Sequence, residues 1–243
     1  MTCTKPLVGF ATGNIYRLAQ NANRAILLDF VKQLGVEAVE LTFATKQDLE
    51  QTVIKANTVK WLRSLRYVSI HAPFRLMRNS KAEVVDQLDM INRLYMLINA
   101  RNVIIHPNEL PEQKILKRYN MRFSTENLPK KKHFTIQRLE RILRHYQNLG
   151  MCLDVSHAYL WSKHETAELV RHFSKRITEV HISGTYRNKD HTSLRKVTKD
   201  FIDSIKPIRT LNVPFLFEGD VDTSSKKYFA SELDYICRLL NKG

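Results

Sequence analysis

The sequence predicts an α/β fold, a single (β/α)8 TIM barrel over residues 1–243, on three observations. Short apolar runs alternate with amphipathic stretches along the chain, several of those runs end in a histidine or a carboxylate, and the length is 243 residues. A (β/α)8 barrel typically takes about 250 residues. Parallel strands covered on both faces read as unbroken apolar runs rather than alternating ones, and these runs have that character.

Strands are expected at 6–10, 36–43, 67–71, 102–106, 121–126, 151–155, 177–182 and 214–218. Helices are expected between and after them, at 15–34, 46–65, 81–99, 111–119, 135–148, 163–174, 195–206 and 225–241. The helical period is plain in 81–99, where Val84, Val85, Leu88, Ile91, Leu94, Tyr95 and Ile98 share a stripe. Segment 225–241 repeats it with Phe229, Leu233, Ile236, Leu239 and Leu240. An open doubly wound sheet would need a Gly-rich phosphate turn after its first strand. The lone Gly13 in FATGN does not supply one, and the whole chain has only seven glycines.

No Pro/Gly/Ser-rich linker divides the chain, which favours one domain. No stretch of about 18 apolar residues occurs, so a membrane-spanning helix is excluded. Met1 to Phe10 fits neither a secretory signal nor a transit peptide, and the expected location is cytoplasmic. Cys3, Cys152 and Cys237 are odd in number and widely spaced, which argues against a disulfide scaffold and a thiolate zinc site. The net charge of +15 suits a polyanionic partner, either nucleic acid or a phosphorylated small molecule, although a general solubility charge has the same sign. Nothing in the sequence points to a membrane or to an obligate protein partner.

The strand-end residues carry the chemistry. YVSIH ends at His71, NVIIH at His106, RFSTE at Glu126, ITEVH at His181 and PFLFE at Glu218, while CLDVSH carries Asp154 and His157. A barrel gathers the carboxyl ends of its strands at one mouth, where active sites of this fold sit. Three carboxylates crowded there repel one another unless a cation is present. Imidazole with carboxylate is the donor mixture for zinc, with manganese and iron the other suited ions. Basic residues follow the same strand ends: Arg75 and Arg78, then Lys130, Lys131 and Lys132, then Arg187 and Lys189. A cationic rim suits a phosphate-bearing substrate, and Phe74 and Tyr186 are placed to stack on bases or to pack the loops.

HAPF at 71–74, IIHP at 104–107, STEN at 124–127, LDVSH at 153–157, EVHIS at 179–183 and FLFEG at 215–219 resemble, in order, the motifs of the xylose-isomerase-like TIM barrels. Within that superfamily the resemblance is to endonuclease IV. It implies one ion held by His71, His106 and Glu126, and a second held by Glu126, Asp154, His181 and Glu218. A third would use His157 and His191, but the aspartate expected two residues before His191 is Lys189, and Asp190 is adjacent instead. Two ions are therefore implied and the third set is incomplete. HPN stands where HPG is usual and ENLP where ENTAG is usual, and the chain is shorter than typical endonuclease IV proteins.

The activity implied is metal-dependent phosphodiester hydrolysis on nucleic acid, abasic-site DNA included. Glu126 and Glu218 would be the catalytic carboxylates, and Phe74, Arg75, Lys130, Lys131 and Arg187 would bind substrate. Sugar or sugar-phosphate isomerisation or epimerisation is the competing activity. There Glu126, Asp154, His181 and Glu218 would surround one ion, and His157 and Arg187 match sugar-contacting positions. A third reading is a non-catalytic barrel with a structural metal, against which the surplus of donors argues.

Overall fold

The computed structural model describes residues 6–15, 24–220 and 225–241. Strands β1 (Val8–Ala11), β2 (Ala38–Thr42), β3 (Tyr67–His71), β4 (Asn102–Ile105), β5 (Phe123–Glu126), β6 (Gly150–Asp154) and β7 (Ile177–Ile182) are buried along nearly their whole length. A short antiparallel hairpin follows, β8 (Gly184–Tyr186) and β9 (Lys189–Thr192), and β10 (Phe215–Phe217) is the last strand. The parallel strands close in the order β1-β10-β7-β6-β5-β4-β3-β2. This is the expected (β/α)8 barrel.

Register sets the site. Thr42 lies beside His71, His71 beside Ile104, Glu126 beside Cys152, and Asp154 beside His181. The chemistry-bearing residues of successive runs therefore share one end of the barrel. Closure at β1 requires Gly9, because a Cβ there would stand 1.9 Å from the Ala38 carbonyl oxygen.

Helices occupy the connections, at some bounds different from those expected. Of the 15–34 stretch, the structure shows α1 (Arg24–Lys32), and residues 16–23 lie outside the described ones. The 46–65 stretch splits into α2 (Lys46–Glu50) and α3 (Ala56–Ser64). The β-branched Thr52, Val53 and Ile54 fall in the break, where helical χ1 freedom would be lost. Helix α4 (Lys81–Ile98) is bounded by a Ser80–Glu83 capping box and a left-handed Asn99. Helix α5 (Gln113–Leu116) fills only the middle of 111–119, and α6 (Ile136–His145) and α8 (Glu165–Phe173) are slightly shorter than expected.

Strand β6 ends one residue early. The Asp154 carboxylate accepts from the His157 backbone N–H at 2.7 Å and starts α7 (Val155–Tyr159), so His157 rides a helical turn rather than a strand end. The 195–206 stretch contracts to α9 (Lys199–Ser204), and α10 (Lys226–Asn241) packs Phe229 against Phe10 with ring centroids 5.5 Å apart. Among the described residues no helix is long and apolar enough to cross a membrane.

Candidate metal centre

Strand register brings His71, His106, Glu126, Asp154, His181 and Glu218 to one mouth, and α7 and β9 add His157 and His191. Glu126 sits between the others. Its Oε2 lies 3.5 Å from His71 Nε2 and 3.4 Å from His106 Nε2, while its Oε1 lies 3.4 Å from both His181 Nδ1 and His157 Nδ1. Three donor groups result: His71, His106 and Glu126; then Glu126, Asp154, His181 and Glu218; then Asp154, His157 and His191. Within each, the donor atoms lie within 4.8 Å of one another. Donors of one zinc ion are each about 2.0–2.2 Å from it, so they fall within roughly 4.4 Å of each other. The spacing needs little adjustment.

Ring orientation is set from behind. His71 Nδ1 donates to the Ala72 carbonyl at 2.9 Å, His157 Nδ1 to the Asn127 carbonyl at 3.0 Å, and His191 Nδ1 to the Glu218 carbonyl at 3.2 Å. A carbonyl oxygen only accepts, so the other nitrogen of each neutral ring keeps its lone pair. The Nε2 atoms of His157 and His191 face one another at 3.1 Å, so one of them carries a proton unless a cation lies between them. Lys189, in the position where an aspartate was sought, pairs with Asp220 at 3.5 Å. Asp190 turns inward, 3.8 Å from His157 Nε2.

The donor set fits a cation on a second count. Glu126 Oε1, Asp154 Oδ2 and His181 Nδ1 are buried without hydrogen-bond partners, although buried polar atoms are normally paired. All three belong to the four-residue group that includes Glu218. A divalent ion would satisfy them together.

Electrostatics follow from the crowding. Burial pushes the Glu126 carboxyl up, but the four surrounding imidazoles hold it well below the usual range. Burial likewise opposes ionisation of Glu218, and His181 outweighs it, leaving Glu218 at about 2. Asp154 is raised by burial. Burial would lower His71 and His157, yet Glu126 and Glu40 take His71 to about 9, and Asp154 with Glu126 takes His157 to about 10. His106 is lowered by burial. Protons on these imidazoles balance the carboxylates where metal charge would otherwise do so.

The expected rim residues are more dispersed. Phe74 is 40% exposed and stacks on His106 with centroids 5.3 Å apart, walling the His71 side of the mouth. Arg75 is exposed at the start of a 3-10 turn in the same loop. Lys130, Lys131 and Lys132 form an exposed 3-10 turn after β5. That loop is tied to the mouth by Asn127, whose side chain bonds both the Asp154 N–H and its carbonyl at 2.8 Å. Arg187 is exposed at the hairpin tip over the Tyr186 ring, 5.1 Å from its centroid.

Sequence reading missed two buried carboxylates. Glu40 on β2 reaches His181 Nε2 at 3.1 Å, and Glu179 on β7 accepts from Tyr67 Oη at 2.6 Å. Both lie inside apolar runs, AVELT and ITEVH, where they read as core positions. The only signal was the cost of burying a carboxylate in such a run without a partner.

Comparison with known proteins agrees with the topology. A family model described as xylose isomerase-like TIM barrel matches residues 108–212. Among solved structures, a D-tagatose 3-epimerase-like protein superposes with TM-score 0.69 at 17% identity, covering 95% of this chain and 98% of that one. Endonuclease IV from Thermus thermophilus does so with TM-score 0.66 at 16% identity, covering 97% and 98%. D-allulose 3-epimerase from Methylomonas sp. gives 0.69 at 13%, covering 97% and 98%. No curated protein matches by sequence. Identities this low establish the fold alone. The chain is a closed (β/α)8 barrel whose residues 108–212 are similar to the xylose isomerase-like TIM barrels.

Proposed function

We propose that this protein is a metal-dependent phosphodiester hydrolase acting on nucleic acid, abasic-site DNA among its candidate substrates. The observation that carries the reading is the division of Glu126. One oxygen serves His71 and His106, the other serves the side holding Asp154, His181 and Glu218. A carboxylate shared in this way suits a two-ion site, and such sites clamp the attacking and leaving oxygens of an in-line displacement at phosphorus. Divalent ions, zinc being the best match to the donors, would supply Lewis acidity toward a phosphoryl oxygen and a water.

The chain's own residues do the rest. Glu126 and Glu218 stay ionised and hold fixed negative charge at the mouth, so they act as ligands rather than as proton stores. Asp154, His71, His106 and His181 complete the two donor sets. Arg75, Lys130, Lys131 and Arg187 present cationic donors to non-bridging phosphate oxygens, and Phe74 offers a ring face for a base.

A second reading, sugar epimerisation around one ion, is favoured by a specific observation: Glu126, Asp154, His181 and Glu218 form a complete four-donor group without the other histidines. The readings diverge at His106. Zinc-loaded protein should cleave an abasic-site oligonucleotide and leave a panel of ketoses unchanged. His106→Ala should lower the metal content and reduce cleavage at least about 100-fold, the upper range for disturbing a metal site. Ketose turnover by protein with one metal per chain, indifferent to His106→Ala, would replace hydrolysis with epimerisation.

A further inference from the structure

We infer that Glu40 is a positioning residue for the metal centre: it accepts the His181 Nε2 proton from inside the barrel and so presents His181 Nδ1 as the ligand atom. This rests on the metal-centre reading and adds a residue that the strand-end pattern does not contain.

The geometry has three parts. First, the two ring nitrogens of His181 have opposite surroundings. Nδ1 faces the mouth, 3.0 Å from Glu218 Oε2 and 3.4 Å from Glu126 Oε1, and lacks a hydrogen-bond partner. Nε2 faces the interior, 3.1 Å from Glu40 Oε2. An imidazole whose Nε2–H is donated to a carboxylate keeps its Nδ1 lone pair for a metal, and it is a more basic ligand for it.

Second, Glu40 is itself held in place. Its Oε1 accepts from Thr42 Oγ1 at 3.2 Å and its Oε2 from Ser69 Oγ at 3.5 Å, from β2 itself and from the adjacent β3. The nearby Glu179 does not substitute for it. Glu179 Oε1 is 3.7 Å from His181 Nε2, and its Oε2 is engaged by Tyr67. Cys152, Glu179 and His181 also form a compact donor group, but the His181 nitrogen nearest Glu179, Nε2, is the one that Glu40 engages.

Third, His181 is treated differently from its neighbours. His71, His157 and His191 are oriented by neutral backbone carbonyls, whereas His181 is oriented by a buried carboxylate. A fully buried carboxylate in an apolar strand is costly, and the His181 contact gives it a use that packing does not. The inference therefore predicts that the ion held by Glu126, Asp154, His181 and Glu218 depends on Glu40 although Glu40 does not touch it.

The test compares zinc-loaded wild type with Glu40→Gln and Glu40→Leu, using ring nitrogen–proton NMR of His181 and chelator competition for the zinc dissociation constant. Wild type should show a protected Nε2–H and a metal-shifted Nδ1. Glu40→Gln keeps an acceptor but loses the charge, so the Nε2–H should persist while zinc weakens about 10-fold; Glu40→Leu loses both and should weaken it toward 100-fold. If Glu40→Leu does not fold, the wild-type spectrum and Glu40→Gln decide. Zinc on Nε2, or an unchanged dissociation constant in Glu40→Gln, overturns the role of Glu40 and leaves the metal centre standing. Wild type that binds no zinc overturns the metal centre, and this role with it.

Discussion

At the scale of single residues, imidazole protons balance the buried carboxylates of the mouth, a charge that bound metal would take over. His71 and His157 stand at about 9 and about 10 because carboxylates surround them, against an ordinary value of 6.5. A group whose pKa rises on folding contributes stability that is complete below the unfolded value and is lost as pH climbs through the folded one. Chelator-stripped protein should therefore lose stability between about pH 6.5 and 10, by on the order of 3 kcal/mol for a shift like that of His71. Zinc on His71 would replace its proton, so the loaded protein should lose that share of the pH dependence and keep the part set by His157. Urea midpoints measured across that range check this, and a flat profile for the stripped protein would show that the imidazoles are not protonated there. The strand-end donors were legible in the sequence because each terminates an apolar run. Glu40 was not, because a carboxylate in the middle of AVELT carries no mark of the histidine it meets 141 positions away. Contacts of that length are set by barrel closure, which local pattern does not encode.

Secondary-structure elements show the same division. Parallel strands, buried on both faces, announce themselves as apolar runs, and α4 announces both ends with its Ser80 cap and Asn99. The β8–β9 hairpin was missed because its strands are three and four residues long and partly exposed. What builds it is backbone geometry: Arg187 and Asn188 both have positive φ, 49° and 60°, as a two-residue type I′ connection requires. Asn tolerates that region and β-branched residues do not. Asn188→Val should therefore lower stability by about 1–2 kcal/mol and displace Asp190 and His191 from His157. Zinc titration should then show the two sites that share Glu126 unchanged, because the hairpin supplies a donor to neither. Equal loss at every site would mean that the hairpin supports the whole mouth rather than one corner. The helix over 46–65 was misjudged for a related reason. Amphipathic spacing carries through Thr52, Val53 and Ile54, but their stiff side chains end α2 and leave α3 to start again.

For the molecule as a whole, topology turns a one-dimensional pattern into a charged surface. Because every barrel strand runs the same way, the loops after β3, β5 and β7 open at one end, and Arg75, Arg78, Lys130, Lys131, Lys132, Arg187 and Lys189 follow the metal donors there. The net charge of +15 could serve solubility alone, in which case removing any three lysines would act alike. If the mouth holds a nucleic-acid backbone, position matters. Each phosphate neutralised by the protein contributes about −0.9 to the slope of log affinity against log salt on duplex DNA. Replacing Lys130, Lys131 and Lys132 together by Ala should weaken duplex binding and flatten that slope by up to about 3 units. Replacing three exposed lysines on the connections that lead into strands, Lys32, Lys60 and Lys175, should leave it nearly unchanged. Fluorescence anisotropy over a salt series distinguishes these outcomes. Equal slopes for the two triple variants would remove the loop after β5 from the interface and return the charge to a general role. A selective flattening would mean that the strand order of the barrel gathers phosphate contacts as well as metal donors at the same rim.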